Sequence, residues 1–357
     1  MIKQIEIDNF KRLKNFKTSF KQISLFGGMN NAGKSSVLEA AFLFCDRGNP
    51  NMLFRQLNWR GVNELKIDPY SIWAPFFNSY DLKKEIRISA YFDNYRETMK
   101  INYNENYEQK TVRINNINEI NSQTNTIEQP VAGNSLQIEI SSDIKGKQNI
   151  NYIISNDSLV MEASQVRPLN FQCVFLTSKG HVPPTENAVR YGELDLLGKA
   201  HEVTDILRIV EPRLRNLSSI SLPNNVSMLY GDIGLEKKIP ISYMGDGISR
   251  VASIVLAIAQ SKNGIVFIDE IENGIHYSVM PKIWESIAAA AKQYNCQIIA
   301  STHSYECLQS AISGMPDSMQ SDFQYTRLEH YDENNLSPKS FDFEILKTAI
   351  DNEWEVR

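Results

Sequence analysis

The sequence predicts an α/β fold: a largely parallel core sheet flanked by helices, with an N-terminal β-hairpin and a partly antiparallel β-rich insertion. Three observations lead there. An apolar run, Ile23-Ser24-Leu25-Phe26, enters a glycine-containing loop and then a helix-forming stretch from Ser36. From Ile248 to Ser301, helix-like and strand-like segments alternate, the pattern of a parallel sheet covered by helices. Between Lys84 and Ile154 the pattern changes to short alternating runs, which suits antiparallel strands.

Taken in order, Ile2, Ile5, Ile7 and Phe10 alternate as a strand, and the run from Phe16 to Phe26 returns to complete a hairpin and lead into the core. Gly48 to Pro75 is rich in Asn, Trp and Pro without a steady period and reads as irregular. The runs starting at Ile86, Thr111, Leu136 and Tyr152 form the insertion, with an Asn-rich loop over 114–129. Val174–Thr177 reads as a buried strand and Asn187–Leu214 as helical. Ile248–Gln260 and Val279–Tyr294 read as helices, Ile265–Ile268 and Gln297–Ser301 as strands. Residues 1–48 and 165–357 are thereby assigned to the core and 49–164 to the insertion. No heptad persists, so a long coiled-coil arm is not expected.

Gly28 to Ser35, G-M-N-N-A-G-K-S, matches G-x-x-x-x-G-K-[ST]. Glycines let the backbone turn tightly and aim N–H groups at phosphate oxygens; Lys34 reaches the β/γ-phosphates and the Ser35 hydroxyl ligates Mg²⁺. The helix that follows adds its positive N-terminal end. Gly28, Asn30, Asn31, Ala32, Gly33, Lys34, Ser35 and Ser36 form the candidate nucleotide-binding set, and ATP with Mg²⁺ the expected cofactors. A second constellation is an apolar strand ending in two carboxylates, Asp269 and Glu270. Ligand chemistry gathers at the carboxyl ends of parallel strands, so the pair is expected beside the phosphate loop. Asp269 suits the Mg²⁺ shell and Glu270 a base for the attacking water. His303, just after another strand and flanked by hydroxyls, is expected to reach the γ-phosphate.

Composition narrows the partners. There are 37 Lys+Arg against 42 Asp+Glu, a net charge of −5, so DNA is a partner the charge does not indicate. The local basic group Lys11, Arg12, Lys14, Lys17 and Lys21 reads as a solvated strand edge. Four scattered cysteines without a C-x-x-C pair read as structural thiols of a reducing compartment. Nowhere do about eighteen apolar residues run together, and no leader is apparent, so a soluble cytoplasmic protein without a membrane partner is expected.

The strings IKQIEIDNFKRLKNF, GGMNNAGKSSVLEA, YMGDGISR, IVFIDEIENGIH and IIASTHS, in this order, resemble the ATP-binding-cassette ATPases of the structural-maintenance-of-chromosomes (SMC) and RecF type. The likeness is greatest to the stand-alone ATPase part of the overcoming-lysogenization-defect (OLD) family. The resemblance implies an ABC-type, P-loop NTPase head that forms a homodimer or higher homo-oligomer, two copies sandwiching two ATP molecules. It also implies a signature loop, Met244, Gly245, Asp246, Gly247 and Arg250, that caps the nucleotide of the other subunit. Gly245 stands where transport cassettes place Ser, and Arg250 is left with two readings, a compensating contact or a local ion pair. Glu272, Asn273, Gly274 and His276 form the D-loop-like segment, and Gln56, Gln165 and Gln172 are the candidates for the glutamine of the Mg²⁺ shell. OLD nucleases carry a Toprim domain after the ATPase. Residues beyond His303 are too few for one, so slow ATP hydrolysis, no nuclease activity and a separate effector, a nuclease or toxin of anti-phage defence, are expected. A RecF-type DNA-repair ATPase and a non-hydrolysing ATP-binding scaffold are the alternatives.

Overall fold

A computed structural model describes residues 1–49, 51–62, 64, 66–109, 131–155, 158–163, 167–178, 182–223, 226–330 and 336–356. Its core is a six-stranded sheet in the order Leu336–Asp342, Phe323–His330, Ile23–Gly28, Gln297–Ser301, Ile265–Ile268, Cys173–Leu176. All neighbours are parallel except the edge strand Leu336–Asp342. The three central strands are buried along their whole length, which explains their unbroken apolar runs.

Alternation along those strands divides the core in two. Leu25, Val266, Ile268, Ile298 and Ala300 face helices Asp246–Gln260, Met280–Gln293 and Tyr305–Gly314. Phe26, Ile265, Phe267 and Ile299 face helix Lys34–Cys45 on the other side. That helix is buried on nearly every residue because a second sheet covers it. This sheet has seven antiparallel strands, ordered Phe16–Ser19, Gln4–Asp8, Ile86–Tyr91, Arg96–Gln109, Val131–Ser142, Gly146–Ser155, Ser158–Ala163. Arg47, just past the helix, pairs with Glu97 of the sheet, each side chain 1% exposed, so a buried charge pair fixes how helix and sheet meet.

Several expectations need correction here. The N-terminal hairpin pairs with Ile86–Tyr91, so strands from 1–48 and 49–164 share one sheet. Gly48–Pro75 is not irregular throughout: Met52–Trp59 is a helix that buries Met52, Leu53, Gln56 and Leu57, a spacing masked by the polar residues around it. Asn187–Leu214 is two helices, Pro184–Leu196 and Ala200–Leu207, separated at Gly198 with φ of 69°. They pack with a small sheet, Asn216–Ser221, Ser227–Asp232 and Ile239–Pro240, that periodicity did not reveal. The run from Thr111, the loop over 114–129 and Gln165 lie outside the described residues. Among the described residues no helix is long and apolar enough to cross a membrane, and the four cysteines are free thiols, none fully exposed.

Candidate nucleotide site

The strand Ile23–Gly28 delivers the loop 28–35 to the helix start at Lys34. Gly28 has φ of 128°, and a Cβ there would lie 2.5 Å from the carbonyl oxygen of Leu328, so only glycine lets the loop leave the sheet so close to its neighbour. Gly33, at φ 82°, caps the helix without any side-chain bond, and the first turn contains no acidic residue, so its N–H groups face the loop unopposed. Lys34 Nζ donates to the carbonyls of Gly28 (2.8 Å) and Met29 (3.0 Å). Burial pulls its ammonium below the usual value, opposed by Glu272, Asp269 and Glu270.

Asp269 and Glu270 follow the strand Ile265–Ile268, separated from the loop strand by Gln297–Ser301. Ser35 Oγ donates to Asp269 Oδ1 at 2.9 Å, and Ser301 Oγ donates to the same oxygen at 2.6 Å. The backbone N–H of Glu270 donates to Ser301 Oγ at 2.9 Å, so one serine ties both acidic residues together. Glu270 has φ of 48°, a left-handed conformation costly for a residue with a Cβ, and such positions cluster where side-chain direction matters. Asn273 fixes that direction: its Nδ2 donates to Glu270 Oε2 (2.9 Å) and to the Ser178 carbonyl (3.0 Å). His303 is held through Glu272, whose Oε1 accepts from the His303 backbone N–H (2.9 Å) and lies 3.0 Å from Nδ1.

A cleft of about 1170 Å³ opens above this arrangement. Asn30, Asn31, Ala32, Gly33, Lys34, Ser35 and Ser36 line it from the loop, and Glu270, Asn273 and His303 from the opposite strands. The two constellations singled out in the sequence therefore meet in one place. Of the glutamines, Gln56 lines the cleft, Gln165 lies outside the described residues, and Gln172 sits where its carbonyl accepts from Ile265 N, the end of the strand remote from the carboxylates.

Met244, Gly245 and Gly247 do not line the cleft. Gly245, exposed at φ 116°, precedes the helix Asp246–Gln260, and space is open around it. Arg250 turns inward: Nε and Nη2 are buried without a hydrogen-bond partner among the described residues, and burial lowers its pKa against the pull of Asp269 and Glu272. Arg250 has no ion pair among the described residues. His276 is exposed and bonds Ser278 (2.8 Å), and Gly274, at φ 74°, carries the turn before it.

The solvated-edge reading of the basic hairpin fails at Lys11, whereas Arg12 is exposed. Positive φ at Asn9 (59°) and Lys11 (50°) turns the hairpin tip inward, and Lys11 N–H donates to the Phe76 carbonyl at 2.8 Å. Lys11 Nζ meets Glu39 Oε2 at 2.7 Å, Arg60 grips the same carboxylate with Nε and Nη2, and Arg12 Nη1 donates to the Asn31 carbonyl at 3.0 Å. Glu39 is 5% exposed on its side chain and shared by two cations. Lys11, Arg12, Arg60, Tyr80 and His330 line the cleft and were not singled out as site residues by the sequence reading. Lys11 and Arg12 stood in the basic hairpin; nothing local in the sequence marks the others.

A phosphate loop, a strand ending in paired carboxylates and a histidine after the next strand, on a mainly parallel sheet with an antiparallel sheet over the first helix, make up the fold of ABC-type, SMC-like ATPase heads. A solved structure of the SmcHead bound to the C-winged helix domain of ScpA shares the fold, with a TM-score of 0.52 at 12% identity, covering 98% of this chain and 99% of that one. The chain belongs to the AAA_21 family, described as AAA domain, putative AbiEii toxin, Type IV TA system, which matches residues 74–308. It is 27% identical over 339 residues to an ATP/GTP phosphatase of Helicobacter pylori, covering 87% of each chain. A shorter match, 36% identical over 100 residues, is to an uncharacterized protein of Methanocaldococcus jannaschii, covering 26% of this chain and 42% of that one.

Proposed function

We propose that the protein is an ATP-hydrolysing switch that closes into a dimer around two nucleotides and thereby controls a separate effector. The observation that carries this reading is the convergence of Lys34, Ser35 and Glu270 on one cleft, with Asp269 Oδ1 just behind its lining, 2.9 Å from Ser35 Oγ. Phosphates on the loop would take the backbone N–H groups of residues 30–36 and the Lys34 ammonium. The hydroxyl of Ser35 and the carboxylate of Asp269 are the donor set for Mg²⁺. Among the described residues no three Asp, Glu, His or Cys side chains are arranged to hold a metal ion on their own, so the ion would take its remaining ligands from phosphate and water. When bound, the ion neutralises charge on the transferring phosphoryl group. Glu270 would orient and deprotonate the attacking water, with Asn273 fixing its carboxylate. His303 would donate to the terminal phosphate.

The signature loop at 244–247 would serve the partner subunit. Met244, Gly245 and Gly247 do not line their own chain's cleft, and Gly245 is an exposed glycine before a helix N-terminus. Control of an effector draws on the family's description, which names a toxin–antitoxin system, and on the partner domain carried by the SmcHead structure. The test is hydrolysis of Mg-ATP by the purified chain, followed by Glu270→Gln. The variant is expected to lose turnover, keep nucleotide affinity, and shift to a nucleotide-bound dimer or larger species by native mass spectrometry. Hydrolysis unchanged in that variant would remove Glu270 from its role, and a monomer under every nucleotide condition would remove the sandwich.

A further inference from the structure

Glu272, Arg250 and Glu39 are among the charged side chains that have no part in the scheme above. Glu39 is satisfied by Lys11 and Arg60. Glu272 is different. Its side chain is 12% exposed, one oxygen serves His303 alone, and the other, Oε2, is buried without a hydrogen-bond partner among the described residues. Burying a carboxylate costs several kcal/mol unless it is compensated. The charges that face it are Lys34 of the phosphate loop and Arg250 of the helix behind the signature loop.

We propose that Glu272 is the positioning residue for His303, a role that rests on the functional reading above. The His303 backbone N–H donates to Oε1 at 2.9 Å, and the ring Nδ1 lies 3.0 Å from the same oxygen. A backbone and a ring anchored to one acceptor leave the imidazole little freedom about its side-chain torsions. With Nδ1–H committed to the carboxylate, Nε2 is the nitrogen left for the cleft that His303 lines. The division of labour is then by pairs. Asn273 orients Glu270 towards water, Glu272 orients His303 towards the terminal phosphate, and the two pairs share no hydrogen bond. The histidine is aimed by the acidic residue in the turn and not by the one at the strand end.

Double-mutant kinetics on the full chain test this. Mg-ATP hydrolysis is measured for the wild type, Glu272→Ala, His303→Ala and the double variant. Each single change is expected to lower kcat about tenfold with KM nearly unchanged, and the double variant to be no slower than His303→Ala, because Glu272 acts only through the ring. Losses that multiply in the double variant, or a Glu272→Ala enzyme as fast as the wild type, would overturn the proposal. A measurement that needs no variant of Glu272 stands beside it. In ¹⁵N-histidine-labelled protein with five histidines, His303, assigned by its loss in His303→Ala, is expected to hold its proton on Nδ1 when neutral. A predominant Nε2–H tautomer refutes the assignment even if Glu272→Ala does not fold. Absence of any hydrolysis by the wild type would instead count against the functional reading, and the tautomer would still decide the positioning.

Discussion

Glu39→Ala is expected to be among the most damaging single changes near the cleft, through an energetic route that is separate from phosphate binding. The substitution removes the acceptor 2.7 Å from Lys11 Nζ and the carboxylate gripped by Arg60. Arg60, whose side chain is 52% exposed, can turn to water. Lys11, at 13% exposure, cannot, and keeps only a 3.4 Å contact to Gln56 and the faces of Phe10 and Phe76. Breaking a buried pair by removing one partner costs about 3–5 kcal/mol, most of it the stranded charge. For a chain of this size that is roughly 2 °C of Tm per kcal/mol, so the midpoint should fall about 6–10 °C by calorimetry. Glu39→Gln, which keeps an acceptor, should cost about 1–3 kcal/mol. The combination Lys11→Met with Glu39→Gln removes the stranded charge and should return to within about 1 kcal/mol of the wild type. A midpoint for Glu39→Ala within about 1 °C of the wild type, or a double variant no better than Glu39→Ala, would show that the cluster is solvated and the argument wrong.

Further outcomes follow from the same geometry. Lys11 has its pKa lowered from 10.5 by burial, with Glu39 pulling the other way, so the unfolded chain binds the proton more tightly. Stability of the wild type relative to Lys11→Met should therefore rise with pH through the folded pKa and level off near 10.5, measured as the difference of two unfolding curves. Gly28→Ala meets the Leu328 carbonyl at 2.5 Å in a conformation that disfavours any Cβ; about 2–4 kcal/mol of stability should be lost, and the rise of Tm with added ATP should shrink with it. Tyr80, 64% exposed on the cleft wall at φ 59°, should raise KM for ATP severalfold when changed to Ala and much less when changed to Phe, and steady-state kinetics would show equal values if the wall does not meet the nucleotide. Tyr325→Phe removes the 2.6 Å bond from Tyr325 Oη to the Val356 carbonyl and should cost about 1 kcal/mol by thermal unfolding, with hydrolysis unaffected.

Much of the site was legible because its chemistry is local in sequence. A strand, a glycine-flanked loop and a helix follow one another within the 23–45 segment, and Asp269 and Glu270 follow their strand directly, so the spacing itself carries the geometry. The core strands were legible for a related reason: burial on both faces demands unbroken apolar runs. What was missed depends on contacts between distant segments. Arg60 looks like any surface arginine until the helix Met52–Trp59 sets it opposite Glu39. Lys11 reads as a charged strand end until three positive-φ or bridged residues fold the tip back against Phe76 and Phe77. The small sheet at 216–240 has alternating burial on one strand only; Asn216–Ser221 is largely exposed and Ile239–Pro240 is just two half-buried residues, which leaves no period to detect.

The pairing of Ile23–Gly28 with Phe323–His330 joins residues roughly 300 positions apart, and the register runs up to Gly28 against Leu328. During synthesis, the phosphate cradle therefore emerges from the ribosome long before the strand that braces it. Closing so long a loop is slow, and until it closes one edge of the loop strand stays unpaired. A nascent chain would thus carry its motif early but acquire a competent cradle late, which keeps partly made copies from competing with finished ones for nucleotide.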